Sequence, residues 1–143
     1  MDRYRTQRIY VATTLNNRVQ AFDRMGKFIT AWGEKGSGDG QFHFPIDVAV
    51  DTSNGYVFVL DQKNARVQVF TPDWEFLGKW GQPGSREAEF LEPYGIAIDG
   101  NDVIYVLDSG NRRVQSFKAT LALIPRPVTG RITVNGPPMR PGR

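Results

Sequence analysis

Residues 16–22 read NNRVQAF, residues 64–70 read NARVQVF and residues 111–117 read NRRVQSF, one heptapeptide repeated at spacings of 48 and 47 residues. A catalytic motif is normally present once in a chain. Self-similarity at a fixed period of this size instead marks one supersecondary unit stacked on copies of itself. The copies reach beyond the heptapeptide: Phe42, Pro45, Asp51 and Asp61 recur as Phe90, Pro93, Asp99 and Asp108, and Trp32-Gly33 recurs as Trp80-Gly81.

Within the middle copy, IDVAVD (46–51), YVFVLD (56–61), RVQVF (66–70) and EFLGKWG (75–81) are short runs rich in Val, Ile and Phe, separated by the turn formers TSNG, QKNA and TPDW. Each copy therefore reads as a four-stranded antiparallel meander, with strands a, b, c and d in chain order. No window sustains an i, i+3, i+4, i+7 pattern, so the reading is all-β. Pairing b with c across the turn sets Asp108 opposite Arg113, Leu107 opposite Val114, Val106 opposite Gln115 and Ile104 opposite Phe117, which leaves apolar residues on both faces of the sheet. A sheet apolar on both faces must be covered on both, and without helices only other copies can do it. Radial stacking of such sheets is a β-propeller.

The motifs FLEPYGIAIDG (90–100), IYVLDSGNRRVQSF (104–117) and GKFITAWG (26–33) together resemble the NHL repeat. The resemblance covers about residues 7–118. It departs in the first copy, where Thr13 stands in the place of Asp61 and Asp108. It implies a propeller, usually six-bladed, that serves mostly as a binding platform, and it admits an RNA-binding surface of the kind some members use.

By this register residues 1–118 hold the blades: a partial blade at 7–33, a full blade at 45–81 and a blade at 93–124. Residues 119–143 hold degenerate final strands and a basic Pro/Gly-rich tail. The first copy begins at strand b and lacks a strand a. ALI (122–124) aligns with strand d of the third blade, and RITVNG (131–136) with strand a of a following one. That makes about three blades' worth, half of a six-bladed ring. Two uncovered apolar blade faces exceed what a soluble monomer tolerates, so closure is expected. It would come from a homodimer in which Ile132 and Val134 complete the neighbour's first blade, or from the rest of a longer propeller.

Composition allows an ordinary folded domain, with 143 residues, 40% hydrophobic and 23% charged. The net charge of +3 is concentrated at the end, since Arg126, Arg131, Arg140 and Arg143 have no acidic neighbour in residues 126–143. The body is nearly neutral, which weakens a nucleic-acid reading. There are no cysteines, hence neither disulfides nor thiolate metal sites. No run approaches a membrane span, and MDRYRTQRIYV carries no apolar signal region, so a cytoplasmic setting is the expectation.

Catalytic chemistry finds little support. His43 is the only histidine, so a histidine-based zinc site is not expected, and the expected cofactor list is empty. GEKGSGDGQ (33–41) is glycine-rich but precedes no helix, so it reads as a connection between blades. Asp47, Asp51, Asp99 and Asp102 either hold a cation at a blade mouth or close turns. Asp61 with Arg66 and Asp108 with Arg113 are expected as cross-strand ion pairs, with Asn64 and Asn111 at left-handed turn positions. Arg18, lacking an Asp, is the arginine expected to meet a partner. The b–c turns and d–a connections share one rim carrying Asn16, Asn17, Lys35, Lys63, Arg86, Asn111 and Arg112. A non-catalytic protein-interaction platform is the leading reading. An RNA-binding surface, or a fragment of a larger propeller enzyme such as a lyase, is the alternative.

Overall fold

A computed structural model describes residues 7–119 and 132–134. Three antiparallel sheets follow one another along the chain. The first contains β1 (Arg8–Thr13), β2 (Arg18–Asp23) and β3 (Phe28–Trp32). The second contains β4 (Pro45–Asp51), β5 (Tyr56–Asp61), β6 (Arg66–Phe70) and β7 (Phe76–Trp80). The third contains β8 (Gly95–Ile98), β9 (Val103–Asp108), β10 (Arg113–Ala119) and β11 (Ile132–Val134). The described residues form no α-helix; their only helical turns are 3-10 turns at Thr14–Asn16, Gln62–Asn64 and Ser109–Asn111, each joining strand b to strand c.

The b–c register is the one the alternation demands, with Asp108 opposite Arg113 and Ile104 opposite Phe117. Among the described residues the first sheet has three strands, with β1 at its edge.

The end of the chain departs from expectation. Ile132–Val134 runs beside β10, with Phe117 opposite Val134 and Ala119 opposite Ile132, so it fills the fourth-strand position of the third sheet. It is thus the fourth strand of the third sheet, where the sequence register expected the first strand of a following blade. The outer edge of β10 offers unpaired N–H and C=O groups, and a β-branched segment such as Ile-Thr-Val satisfies them. The ALI segment at 122–124 lies outside the described residues.

Burial confirms why sheets must stack. In β5 of the middle sheet, Val57, Phe58, Val59 and Leu60 are all fully buried, although they alternate between faces. Val57 and Val59 pack with Val19, Phe42 and Phe70 toward the first sheet. Phe58 and Leu60 pack with Phe90, Ile104 and Phe117 toward the third. Trp32 and Trp80, in the same place on β3 and β7, set their rings edge-on to Phe70 and Phe117 of the next sheet, with centroids 5.5 and 5.3 Å apart. The glycines that follow them, Gly33 and Gly81, sit at φ +109 and +111 because Phe42 and Phe90 lie where a Cβ would go.

Candidate functional site

The heptapeptide is a clamp. Asp61 is fully buried at the end of β5, and its Oδ2 accepts from Asn64 Nδ2 at 2.8 Å and from Arg66 Nε at 2.9 Å. Its Oδ1 accepts the His43 N–H at 2.7 Å. Arg66 then spends its two remaining nitrogens on the incoming connection: Nη1 donates to Ser37 O, and Nη2 to Gly38 O and Gln41 O, each at 2.9 Å. Gln68 donates to Gln41 O at 2.6 Å and accepts from Gly40 N at 2.9 Å, while Asn64 donates to Gly36 O at 2.9 Å.

The third sheet repeats the arrangement. Asp108 Oδ2 accepts from Asn111 and Arg113 at 2.9 and 2.8 Å, and Oδ1 accepts the Leu91 N–H at 2.7 Å. Arg113 reaches Arg86 O and Glu89 O, Gln115 reaches Glu89 O and the Ala88 N–H, and Asn111 reaches Gly84 O. A buried carboxylate and guanidinium are tolerable here because their bonding capacity is satisfied, by each other and by backbone. Asn64 and Asn111 thus act through their amides. The left-handed residues fall one position later, at Asn17, Ala65 and Arg112 with φ 55, 51 and 56, because the 3-10 turn ends at the Asn. This corrects the turn assignment made from sequence, and it removes Asn111, which is buried, from the exposed rim.

In the first sheet the same residue types face solvent. Thr13 lies opposite Arg18, where Asp61 lies opposite Arg66, and its hydroxyl donates to Arg18 O at 3.1 Å. Asn16 and Arg18 are exposed.

The carboxylates considered for a cation have turn duties. Asp51 Oδ1 accepts from Ser53 N and Oγ, at 2.9 and 2.6 Å. Asp99 Oδ1 accepts from Asn101 N and Val103 N, at 2.8 and 3.0 Å, which with the Tyr105 hydroxyl on Oδ2 holds Asp99 below the usual carboxylate range. Asp47 bridges neighbouring first strands by accepting Val48 N and, from the third sheet, Ile96 N, both at 2.9 Å. Among the described residues no three His, Cys, Asp or Glu side chains gather as a metal site.

The rim does contain a concavity that motif reading missed. A cleft of about 450 Å³ opens between the second and third sheets, lined by Phe44, Gln62, Lys63, Ala65, Pro83, Phe90, Leu91, Glu92 and Tyr94. Between the first and second sheets, Asn17 Oδ1 accepts the Phe44 N–H at 2.8 Å and ties the loop down. The equivalent of Asn17 in the second sheet is Ala65, which has no polar side chain to reach Glu92. The Lys63 ammonium stands 5.1 Å from the centre of the Phe44 ring, and Tyr94 is 57% exposed. Apolar walls with a few convergent polar groups are what a binding pocket requires. Of the other rim residues, Lys35, Arg86 and Arg112 are exposed.

A family model described as 6-bladed beta-propeller matches residues 3–67 and 52–124. Over 54 residues, 38% of this chain and 5% of the relative, the sequence is 41% identical to Protein brain tumor of Drosophila melanogaster. Among solved structures, a streptogramin B lyase superposes with a TM-score of 0.61 at 14% identity, over 89% of this chain and 36% of that one. An auxiliary nutrient binding protein from Bacteroides thetaiotaomicron VPI-5482 gives 0.60 at 17% identity, over 75% of this chain and 33% of that one. A chain of a nidogen/laminin complex gives 0.53 at 14% identity, over 88% and 46%. This chain therefore spans less than half the length of each of these proteins. At such identities the structural likeness speaks for the fold alone.

Proposed function

Since the chain belongs to a family of 6-bladed β-propellers, we propose that it acts as a non-catalytic, NHL-type protein-interaction platform within a ring completed by further blades. The observation that carries this reading is the cleft between the second and third sheets. Its Phe44, Lys63 and Tyr94 project from a rim whose internal bonding is already met by the buried clamps. The fold uses Asp, Arg, Gln and Asn for its own connections and leaves large aromatic and cationic side chains facing outward, the composition of an interaction hot spot. A segment of peptide that places an apolar side chain against Leu91 and Tyr94, and a carboxylate near Lys63, fits the lining.

Peptide-display selection on the full chain tests this. Enriched sequences should lose binding by about tenfold or more on Tyr94→Ala or Lys63→Glu, the range of a hot-spot residue. Selected peptides indifferent to both substitutions would overturn the assignment of the cleft. Binding of an RNA pool that weakens steeply with salt would move the reading to nucleic acid. A second copy is the smallest addition that brings three blades' worth to six, and absolute molar mass in solution decides whether the ring is closed that way.

A further inference from the structure

We propose that the cleft between the second and third sheets has one anchoring contact, in which an aspartate of a protein partner sets its carboxylate on the Glu92 N–H and faces the Lys63 ammonium. The inference rests on the reading of this cleft as a peptide-binding site and deepens it by naming the anchoring side chain. The same backbone slot occurs twice in the chain, and only one of the two is filled from within.

Phe44 and Glu92 are equivalent residues, two positions after Phe42 and Phe90 and just before Pro45 and Pro93. Both hold a left-handed backbone, at φ 66 and 47, and so do the turn residues beside them, Asn17 and Ala65, at φ 55 and 51. The chain therefore presents the two N–H groups in the same manner. At the first junction the Asn17 amide oxygen accepts the Phe44 N–H at 2.8 Å. At the second, Ala65 and Glu92 line the same cleft, and the Glu92 N–H has no acceptor among the described residues. The groups on either side of it are held, because the Leu91 N–H donates to Asp108 Oδ1 at 2.7 Å and Gln62 Nε2 donates to Pro93 O at 3.0 Å. A donor fixed on a tethered connection is pre-organised for an incoming acceptor.

The first junction shows which chemistry the slot takes, a carboxamide oxygen on a short stem. Lys63 decides between that amide and its carboxylate isostere. It lines the same cleft, with its ammonium 5.1 Å from the centre of the Phe44 ring, and among the described residues no carboxylate pairs with it. An aspartate has the reach of an asparagine, sets one oxygen on the N–H and leaves the other for the ammonium. Charge-assisted hydrogen bonds of this kind are roughly twice as strong as neutral ones. The Glu92 carboxylate, the other charge in the lining, belongs to an exposed residue, where water and salt screen it from the incoming anion. Leu91 and Tyr94, 47% and 57% exposed, offer the apolar wall for the residue next to the aspartate, which favours a polypeptide over a phosphate chain.

The test follows the Glu92 amide of the full chain by two-dimensional NMR during titration with the capped dipeptide acetyl-Leu-Asp-amide. Its proton signal should move downfield to saturation. Acetyl-Leu-Asn-amide keeps the acceptor, loses the charge and should bind about fivefold more weakly; acetyl-Leu-Ala-amide should leave the Glu92 signal in place. Lys63→Met should remove the difference between the aspartate and asparagine dipeptides. Ala65→Asn supplies the acceptor from within the chain, and asparagine tolerates the left-handed turn. In that variant the Glu92 signal should start downfield and answer to no dipeptide. Should the variant fail to fold, the dipeptide series on the unaltered chain decides alone. A Glu92 signal that stays still while those of Leu91 and Tyr94 move would overturn the anchor and leave the cleft standing as a binding site, whereas indifference of selected peptides to Tyr94→Ala and Lys63→Glu counts against the cleft itself. Equal binding of the aspartate and alanine dipeptides, or no shift of any amide across the millimolar range, would overturn the proposal. So would a Glu92 shift driven by inorganic phosphate and not by the dipeptide, which assigns the donor to a phosphate, or one driven by protein concentration alone, which assigns it to a second copy.

Discussion

Arg66 and Arg18 occupy the same position of the same heptapeptide, yet Arg66 is 6% exposed and bonded to Asp61, Ser37, Gly38 and Gln41, while Arg18 faces solvent. The flanking Val and Gln are identical in both copies. What differs is distant in sequence: a carboxylate five residues earlier and a connection some 25 residues earlier. A local motif thus specifies a capacity to bind backbone, and its surroundings decide whether that capacity is spent on the fold. The middle sheet spends it fully, and the first sheet holds it at the surface.

The largest expected effect tests whether the carboxylate is the pivot of that contrast. Asp61→Ala strands Arg66, Asn64 and Gln68 together beneath the connection, and urea denaturation should show a loss of about 3–5 kcal/mol. Thr13→Ala, at the matching position of the first sheet, removes one half-exposed hydroxyl bond and should cost under about 1 kcal/mol. Similar losses at both sites would break the comparison, because they would mean that the buried network contributes no more than an ordinary surface contact.

Next in size is the contrast of faces. Leu60 is fully buried between the second and third sheets, whereas Leu107 lies on the outer face of the third and is 45% exposed. Leu60→Ala should cost about 2–5 kcal/mol by leaving a cavity. Leu107→Ala should cost under about 1 kcal/mol in the chain alone. A further blade packed on that face would raise the second figure toward the first, so the pair of measurements also reports ring closure.

Gly81→Ala comes third, at about 1–3 kcal/mol. The new Cβ would stand 2.7 Å from the Phe90 ring, 2.8 Å from Ala65 O and 2.9 Å from Arg66 Cα, at a φ of +111. Two of those neighbours are backbone and cannot step aside. An unchanged midpoint would show that the connection is looser against the middle sheet than the clamp geometry requires.

The strands, their register and the stacking were legible because period-2 alternation and a repeated turn are local signals. Asp108 opposite Arg113 follows from counting across SGNR. The partners of Arg66 were not legible, since Ser37, Gly38 and Gln41 are reached through backbone carbonyls, and carbonyls leave no mark in residue identity. The cleft escaped for a related reason: its lining, from Phe44 and Lys63 to Leu91 and Tyr94, comes from the connections and turns of two sheets that no single motif brings together. Ile132–Val134 was placed one strand late because an edge strand accepts any β-competent segment, and pattern matching to GIAIDG does not encode which edge is open.

The smallest effect concerns the far ends of the second and third sheets, where two carboxyls meet. Asp102 is pushed above the usual carboxylate range, chiefly by its hydrogen bond with the Asp51 carboxyl and then by burial and the Asp51 charge, with Lys118 opposing. A raised folded-state value means that the contribution to stability is complete below the ordinary Asp range and is lost as pH rises through the raised value. At neutral pH the pair is therefore a small liability. Asp102→Asn should stabilise the chain there by under about 1 kcal/mol, since the site is near solvent, and the gain should shrink as pH falls through the carboxylate range. Asp99 runs the other way. Its lowered value, from the Val103 and Asn101 N–H groups first, contributes stability above the ordinary Asp range that is lost on acidification. Asp99→Asn should thus destabilise at neutral pH and converge with the parent in acid. Thermal melts of the two variants against pH should approach the parent's profile from opposite sides as pH falls; parallel profiles would show that neither carboxyl titrates with a shifted value in the folded chain.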